Sequence, residues 1–372
     1  MKRIAFHLPN RNIPSADLSN PESGNPGIGG THFLFAALPY YLNKYFFNVI
    51  ECRIHAELPD RLPPNIKIEH TPTIDDAFAE AEKSDCDIFV FRPEEITLSV
   101  FERFKNTRLN LVAWEHNLEY PHGAALAQLE ALKLFVCVSS QHLKVFEGNP
   151  IYEKSCFILN FLDAQSLNPR EFVETAPHVA YVGSIIPIKG LHILAEIWKY
   201  IIEKVPEAKL DIIGNGQVYK ENAELGKWGL CDEKYESLIR KHLAGPDGSP
   251  HPSVRLHGKL GTDKIQILQK ARVGIPNPSA LSECCPGSAL EMQACGTPVV
   301  TLDKNGFKDT VAHQVSGYLC KDHTDVINYT AALLQDANSS YLMGQKGIDF
   351  VNAHFNPYLI SYQWLRLFNS IC

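Results

Sequence analysis

No run of eighteen apolar residues occurs in this 372-residue chain, so no segment of it reads as a membrane-spanning helix. No C-x-x-C pair occurs among its ten cysteines, and the adjacent Cys284 and Cys285 cannot easily bridge each other. Structural zinc and a disulfide framework are therefore not expected. The reading is a reduced, cytoplasmic chain whose cysteines pack as small apolar groups. The opening "MKRIAFHLPNRN" reaches Pro9 too soon for a signal-peptide core and is expected to form a first strand, Arg3–Leu8. Also missing is a dense basic field. Residues 1–175 hold 16 Lys and Arg against 23 Asp and Glu, the rest of the chain is balanced, and the net charge is −7. That distribution argues against a nucleic-acid partner, and it leaves at most peripheral contact with a membrane surface. There is no low-complexity tract and no internal repeat.

What is present is an alternation. Hydrophobic content of 45% and charged content of 21% suit a globular chain, and the length suffices for two cores. In the first half "RIAFHL", "NVIECRI", "CDIFVFR", "LNLVAWEH" and "LFVCVS" have strand length. Helix-like stretches such as Ile74–Lys83 and Gly123–Lys133 separate them. A second series runs through "HVAYVGS", a helix over Leu191–Lys204, "AKLDIIG", "SVRLHG", "VGIPN", "PVVTL" and "GYLC". Alternating βα units predict an α/β protein of two Rossmann-like, doubly wound parallel-sheet domains, whose ligands collect beyond the carboxyl ends of the strands. The Pro-rich segment Asp163–Pro177 reads as the linker. Residues 1–165 are expected to form one domain and 166–350 the other. The closing helix over 351–372 is expected to be ordinary core or to pack back onto the first domain. Gln217–Pro252 is expected to hold a helix and a surface loop.

The segment "LSECCPGSALEMQACGTPVV", residues 281–300, places Glu283 and Glu291 on either side of Pro286-Gly287. Ser288–Cys295 reads as a helix stopped by Gly296. The N–H groups of Gly287 and Ser288 then lie at a helix start, where unpaired donors and the positive dipole end favour phosphate. Carboxylates beside such an anion site are compatible with it when they grip neutral hydroxyls. A nucleotide-sugar supplies these: a ribose on one side of the diphosphate, a sugar on the other. The same spacing also fits a helix-dipole glutamate beside an unrelated loop acid.

The motif E-x7-E followed by "ACGTPVV" resembles the donor site of retaining glycosyltransferases with the GT-B fold, in particular glycosyltransferase family 4 (glycosyl transferases group 1). "YVGSIIPIKGLHILAEIWKYIIEKVPEAKLDIIGNG" resembles the opening of that family's second domain, and "FKDTVAHQVSGYLC" its closing segment. "VCVSSQHLKVF" and "ILNFLD" resemble the end of its first domain, with Phe161 where a glycine often follows the Asn. The likeness is strong over 179–320 and weaker over 1–130. It implies a GT-B architecture of two domains facing across a cleft, the first on the acceptor side and the second binding the donor. It further implies a retaining hexosyltransferase acting in bacterial polysaccharide or glycolipid assembly. The partners would be a UDP- or GDP-sugar donor and a sugar, glycolipid or other hydroxyl acceptor, with no cofactor.

By the same resemblance Glu283 would hold hydroxyls of the donor sugar and Glu291 the ribose. Gly287 and Ser288 would offer N–H groups to the phosphates. Lys189, in "PIKG", would neutralise the departing diphosphate, where fixed positive charge lowers the barrier; a solvated loop lysine is the plain alternative. Gly183 and Ser184 lie in the same donor loop, and Ser184 stands where the family usually has a phosphate-gripping arginine. Gly29 and Gly30, in "GNPGIGGTHFLF", resemble the loop whose backbone approaches the donor phosphates, although such glycines often mark only a turn. Pro39 behind them predicts a short or kinked helix. His116 ends the strand "LVAWEH", on the rim where this architecture keeps its ligands. The resemblance makes it the active-site histidine; Glu115 and Asn117 are neighbours of undivided role, and His7 is a weaker candidate. Asp85-Cys86-Asp87 fits a D-x-D metal pattern of another glycosyltransferase fold, but at a strand entry, so no metal is implied.

A non-catalytic nucleotide-sugar-binding subunit or scaffold stays open through Ser184. A dinucleotide-dependent dehydrogenase does not. Gly27-Ile28-Gly29 comes well after the first strand, and His32 occupies the third glycine position.

Overall fold

The computed structural model describes residues 1–167, 176–218 and 222–371. Residues 168–175, within the segment expected to be the linker, lie outside the described residues. The chain divides into two compact units, Met1–Phe161 with Phe355–Cys372, and Leu162–His354.

The first unit is built on seven strands: β1 (Lys2–Leu8), β2 (Ile50–Ala56), β3 (Lys67–His70), β4 (Ile88–Phe91), β5 (Asn110–Trp114), β6 (Leu132–Cys137) and β7 (Ser155–Phe157). All neighbours pair parallel, in the order β3-β2-β1-β4-β5-β6-β7. Its helices are α1 (Gly30–Phe46), α2 (Ile74–Lys83), α3 (Leu98–Phe104), α4 (Gly123–Ala127) and α5 (Ser140–Val145). Thr73, Thr97 and Ser139 start α2, α3 and α5 by accepting the N–H of Asp76, Val100 and His142, which satisfies donors that the helix itself leaves open. The central strand β4 is buried along its whole length. Phe78, Phe89, Phe91 and Phe104 fill the layer between the sheet and the helices α2 and α3.

Two expectations are adjusted by the structure. Of the short or kinked helix expected at Pro39, the short form does not occur: α1 runs for 17 residues and continues past Pro39. A proline in a helix interior forfeits one hydrogen bond and crowds the carbonyl four residues earlier. Burial of Phe33 to Pro39, Tyr41 and Leu42 on this helix offsets that cost. The helix-like stretch Gly123–Lys133 is helical only over Gly123–Ala127; Leu132 already belongs to β6 and is buried in the sheet core.

The second unit has six parallel strands: β8 (His178–Val182), β9 (Lys209–Ile213), β10 (Val254–Gly258), β11 (Val273–Gly274), β12 (Val299–Leu302) and β13 (Gly317–Cys320). Their order is β10-β9-β8-β11-β12-β13. The helices are α6 (Leu191–Lys204), α7 (Glu233–Leu243), α8 (Lys264–Lys270), α9 (Gly287–Ala294), α10 (Phe307–Thr310), α11 (His323–Gln335) and α12 (Ala337–His354). The final helix, α13 (Pro357–Ser370), is part of the first unit. Trp364 on it lies 5.0 Å from Trp114 of β5, and Phe368 lies 6.3 Å from Phe6 of β1, measured between ring centroids.

One buried polar cluster crosses three strands of the second sheet. Asp211 of β9 accepts from His178 Nδ1 of β8 at 2.6 Å and from His257 Nε2 of β10 at 2.7 Å. Burial alone would raise its carboxyl, but these two hydrogen bonds outweigh that and hold it below the ordinary 3.8. A folded-state value below the unfolded one gives stability that is present above pH 4 or so and is lost as acid protonates the carboxylate. Asp211→Asn is therefore expected to cost about 1–3 kcal/mol in urea unfolding at pH 7. The deficit should shrink below pH 4, where the wild type loses the same contribution.

Candidate functional site

In each sheet the strand order reverses beside the first strand, at β1/β4 and at β8/β11. Connections leave such a point in opposite directions and open a crevice beyond the carboxyl ends of the strands. In the second unit this point is lined by the loop after β8, which carries Gly183, Ser184 and Lys189, and by the loop after β11, which carries Glu283.

The two loops are bound to each other. Ser279 Oγ donates to Ile188 O at 2.6 Å. Gly190 has φ 69°, and a Cβ there would lie 2.7 Å from Ser279 N, so only glycine lets the loops approach this closely. Asn277 organises the second loop. Its Oδ1 accepts the N–H of Ser279 at 3.1 Å. Its Nδ2 donates to Leu281 O at 3.1 Å and to Glu283 Oε1 at 2.8 Å. Ala280 and Ser282 are held at φ 54° and 53°, a left-handed conformation that non-glycine residues adopt only when their surroundings impose it. Gly306 N donates to Glu283 O at 2.7 Å, and Asn305 Nδ2 donates to Ala280 O at 2.9 Å. Glu283 is thus presented from a strained, braced loop.

Both predicted acids have ammonium partners. Lys189 Nζ donates to Glu283 Oε1 at 2.7 Å, bringing these two expected site residues into direct contact. Glu291, one turn inside α9, lies 2.8 Å from Nζ of Lys264, the first residue of α8. All four side chains are largely buried. Two carboxylates beside an anion-binding helix tip would repel the anion; two carboxylates each neutralised by a lysine do not.

The tip itself is open. α9 starts at Gly287 after Pro286, with no side-chain cap. Among the described residues the helical bonds begin with the Ala289 N–H to Pro286 O, and none accepts from the N–H groups of Gly287 or Ser288. A Cβ added at Gly287 would meet nothing within 4 Å, so the surrounding protein leaves space there. Ser184 is 4% exposed, and its Oγ has no hydrogen-bond partner among the described residues. A buried hydroxyl without a partner at such a crevice is a free donor for a ligand.

In the first unit Gly29 precedes α1 and Gly30 begins it, again without a side-chain cap. His116 follows β5. Its ring packs 4.6 Å from Trp114 and 5.9 Å from Phe35 of α1, and its Nε2 is buried without a partner. Burial, reinforced by Arg92, His142 and His32, pushes its pKa well below the ordinary range. It is a neutral imidazole at physiological pH, suited to hydrogen bonding rather than to carrying charge. Glu115 Oε1 accepts the N–H of His116 at 2.8 Å and of Asn117 at 2.6 Å. Burial, with Glu94 adding repulsion, pushes the Glu115 carboxyl up to about 8. His142 accepts the Val138 N–H at Nδ1, which leaves Nε2 to donate to Asn117 O at 2.6 Å. His7 is also buried, and its ring nitrogens have no partner; burial, with His55 and Arg92, pushes it down to about 3.

Asp85 and Asp87 have separate protein partners. Arg108 Nη2 donates to Asp85 at 2.8 Å, and the Arg3 N–H donates to Asp87 at 2.8 Å. Among the described residues no group of three or more His, Cys, Asp or Glu side chains is placed to hold a metal ion. No helix among them is long and apolar enough to cross a membrane.

Sequence reasoning missed Lys264 and Asn277. Lys264 lies far from Glu291 along the chain, and no motif spacing marks the pair. Asn277 could have been suspected only as a turn-favouring residue.

Two parallel-sheet Rossmann-like units with these loops define a GT-B fold, and solved structures agree. The chain aligns over 100% of its length with 99% of sucrose-phosphate synthase from Thermosynechococcus elongatus, at TM-score 0.76 and 15% identity. It aligns with the whole of HepE from Anabaena, solved with UDP and glucose, at TM-score 0.71 and 14% identity. Residues 176–336, within the second unit, match the family described as glycosyl transferases group 1. Among curated proteins, the chain is 26% identical over 196 residues to a D-inositol 3-phosphate glycosyltransferase of Kribbella flavida. It is 24% identical over 194 residues to the capsular polysaccharide biosynthesis glycosyltransferase CapM of Staphylococcus aureus. These alignments take in 47% and 52% of this chain and 39% and 46% of the two relatives, so the chain spans less than half the length of either.

Proposed function

We propose that the protein is a retaining glycosyltransferase. It moves a sugar from a nucleoside diphosphate to an acceptor hydroxyl, with the donor bound by the second unit and the acceptor on the side of the first. The observation that carries this reading is the open tip of α9 between two lysine-neutralised glutamates. The diphosphate takes the N–H groups of Gly287 and Ser288. Glu291 binds the ribose diol and Glu283 the hydroxyls of the transferred sugar. The Lys189 ammonium, held against Glu283, stabilises the departing phosphate, where negative charge grows in the transition state. Ser184 adds a neutral hydrogen bond in place of an arginine. Gly29 and Gly30 bring backbone toward the phosphates, and neutral His116 donates to a sugar hydroxyl.

Retention follows from front-face substitution. The bond from the anomeric carbon to the leaving phosphate breaks as the acceptor oxygen attacks from the same side, and that phosphate takes the acceptor proton. No separate base is required, and the lysine and helix-tip field makes a divalent metal unnecessary. The relatives support the setting: CapM is named for capsular polysaccharide biosynthesis, and HepE was solved with UDP and glucose. A cytoplasmic enzyme of surface polysaccharide or glycolipid assembly, touching membrane only peripherally, fits both. The unpartnered Ser184 hydroxyl in place of a charged group favours the one rival, a subunit that binds the nucleotide-sugar without turnover.

A thermal-shift panel of UDP, GDP, ADP and their sugars separates these readings, followed by assay of free nucleotide with sugar and glycolipid acceptors. One nucleotide family is expected to raise the melting temperature, since ligand at 100 times Kd stabilises by about 2.7 kcal/mol. Its sugar form is expected to release nucleotide at a rate unchanged by a metal chelator. Binding with no release for any acceptor would favour the scaffold.

A further inference from the structure

The lysine beside Glu291 has no part in the donor site as the sequence predicts it. Lys264 is 7% exposed, at the start of α8, and its ammonium lies 2.8 Å from Glu291 Oε1. The second oxygen, Oε2, takes no hydrogen bond from the described residues, and the side chain keeps 12% of its surface accessible. A buried ion pair of this kind is weak evidence for stability, because desolvating both charges costs about as much as their attraction returns. Its effect is geometric. One oxygen is fixed, and the rotation of the carboxylate is fixed with it.

We propose that Lys264 is the positioning residue for nucleoside recognition: by locking Oε1 of Glu291 it presents Oε2 to the vicinal hydroxyls of a ribose, and so makes the site select ribonucleotides over 2′-deoxyribonucleotides. This rests on the donor-site reading above. Lys264 acts through Glu291 and touches no reacting atom. Its removal leaves Glu291 largely buried without its counter-charge, and the carboxylate is then free to swing. A swung Glu291 no longer accepts from two hydroxyls in fixed positions, and the ribose hydroxyls then contribute little to affinity.

The test is calorimetric titration of UDP, 2′-deoxy-UDP, GDP and 2′-deoxy-GDP into the wild type, Lys264→Met and Lys264→Arg. The wild type is expected to prefer the ribonucleotide of whichever base binds by about 10-fold, the weight of one hydrogen bond to a charged group. Lys264→Met is expected to bring that ratio close to one by weakening the ribonucleotide alone. Lys264→Arg keeps a cation against Oε1 and is expected to keep the ratio. If Lys264→Met fails to fold, Lys264→Gln provides the same ratio. A ratio unchanged in the variants, with both nucleotides weakened together, would show a packing role only and overturn the proposal. Absence of any nucleotide binding to the folded wild type would instead overturn the donor-site reading itself.

Discussion

Glu283→Ala is expected to lower sugar transfer by about 10³-fold or more, the scale of losing an oriented transition-state contact together with its braced partner. Glu283 is the point where three supports meet: the ammonium of Lys189, the amide of Asn277, and the backbone bond from Gly306 to its own carbonyl. The backbone bond and the other contacts of Asn277 survive the substitution, so the loop should keep its path. Melting temperature should fall by only a few degrees, and affinity for the nucleoside diphosphate should change little, because in the proposed site the lost contact is to the transferred sugar. Glu283→Gln keeps an acceptor for Asn277 and Lys189 but not the charge, and should fall between alanine and wild type. Turnover near the wild-type rate in the alanine variant, by direct assay of glycosylated product, would remove Glu283 from the site.

Lys189→Met is the second large effect, expected at about 10²–10³-fold and concentrated in kcat rather than KM. The diphosphate bears more charge as it departs than while the donor is intact, so a cation at that place binds the transition state better than the ground state. The substitution also deprives Glu283 of its counter-charge. The double variant Lys189→Met/Glu283→Gln should therefore be far less impaired than the product of the two single losses. Steady-state kinetics over a donor series checks both statements, and a loss confined to KM would place Lys189 outside the reacting phosphates.

The fold was legible wherever burial writes a pattern into the chain. All six strands of the second sheet were marked by apolar runs, and so were the five inner strands of the first. The two strands missed, β3 and β7, are "KIEH" and "SCF" at the sheet edges, short and without a buried residue. Periodicity has nothing to report there, because pairing with β2 and β6 alone defines them. Pro39 pointed to a short or kinked helix by local preference, and burial of α1 in the first unit carries the helix past it for its full 17 residues. At the candidate site, Glu283, Glu291 and the α9 tip could be singled out from turn and cap chemistry, and Lys189 only through the family resemblance. Lys264, Asn277 and the bracing of Glu115 against the N–H groups of His116 and Asn117 depend on where loops meet in space. No spacing along the sequence encodes that.

The most direct measurement is a crystal structure of the protein with the nucleoside diphosphate selected by the thermal-shift panel. The β-phosphate is expected within hydrogen-bond distance of the Gly287 and Ser288 N–H groups, with the ribose hydroxyls on Glu291 and the Lys189 ammonium beside the terminal phosphate oxygen. A nucleotide bound elsewhere, or one whose ribose and phosphates leave Glu291 and the start of α9 untouched, would contradict a donor site at that helix tip.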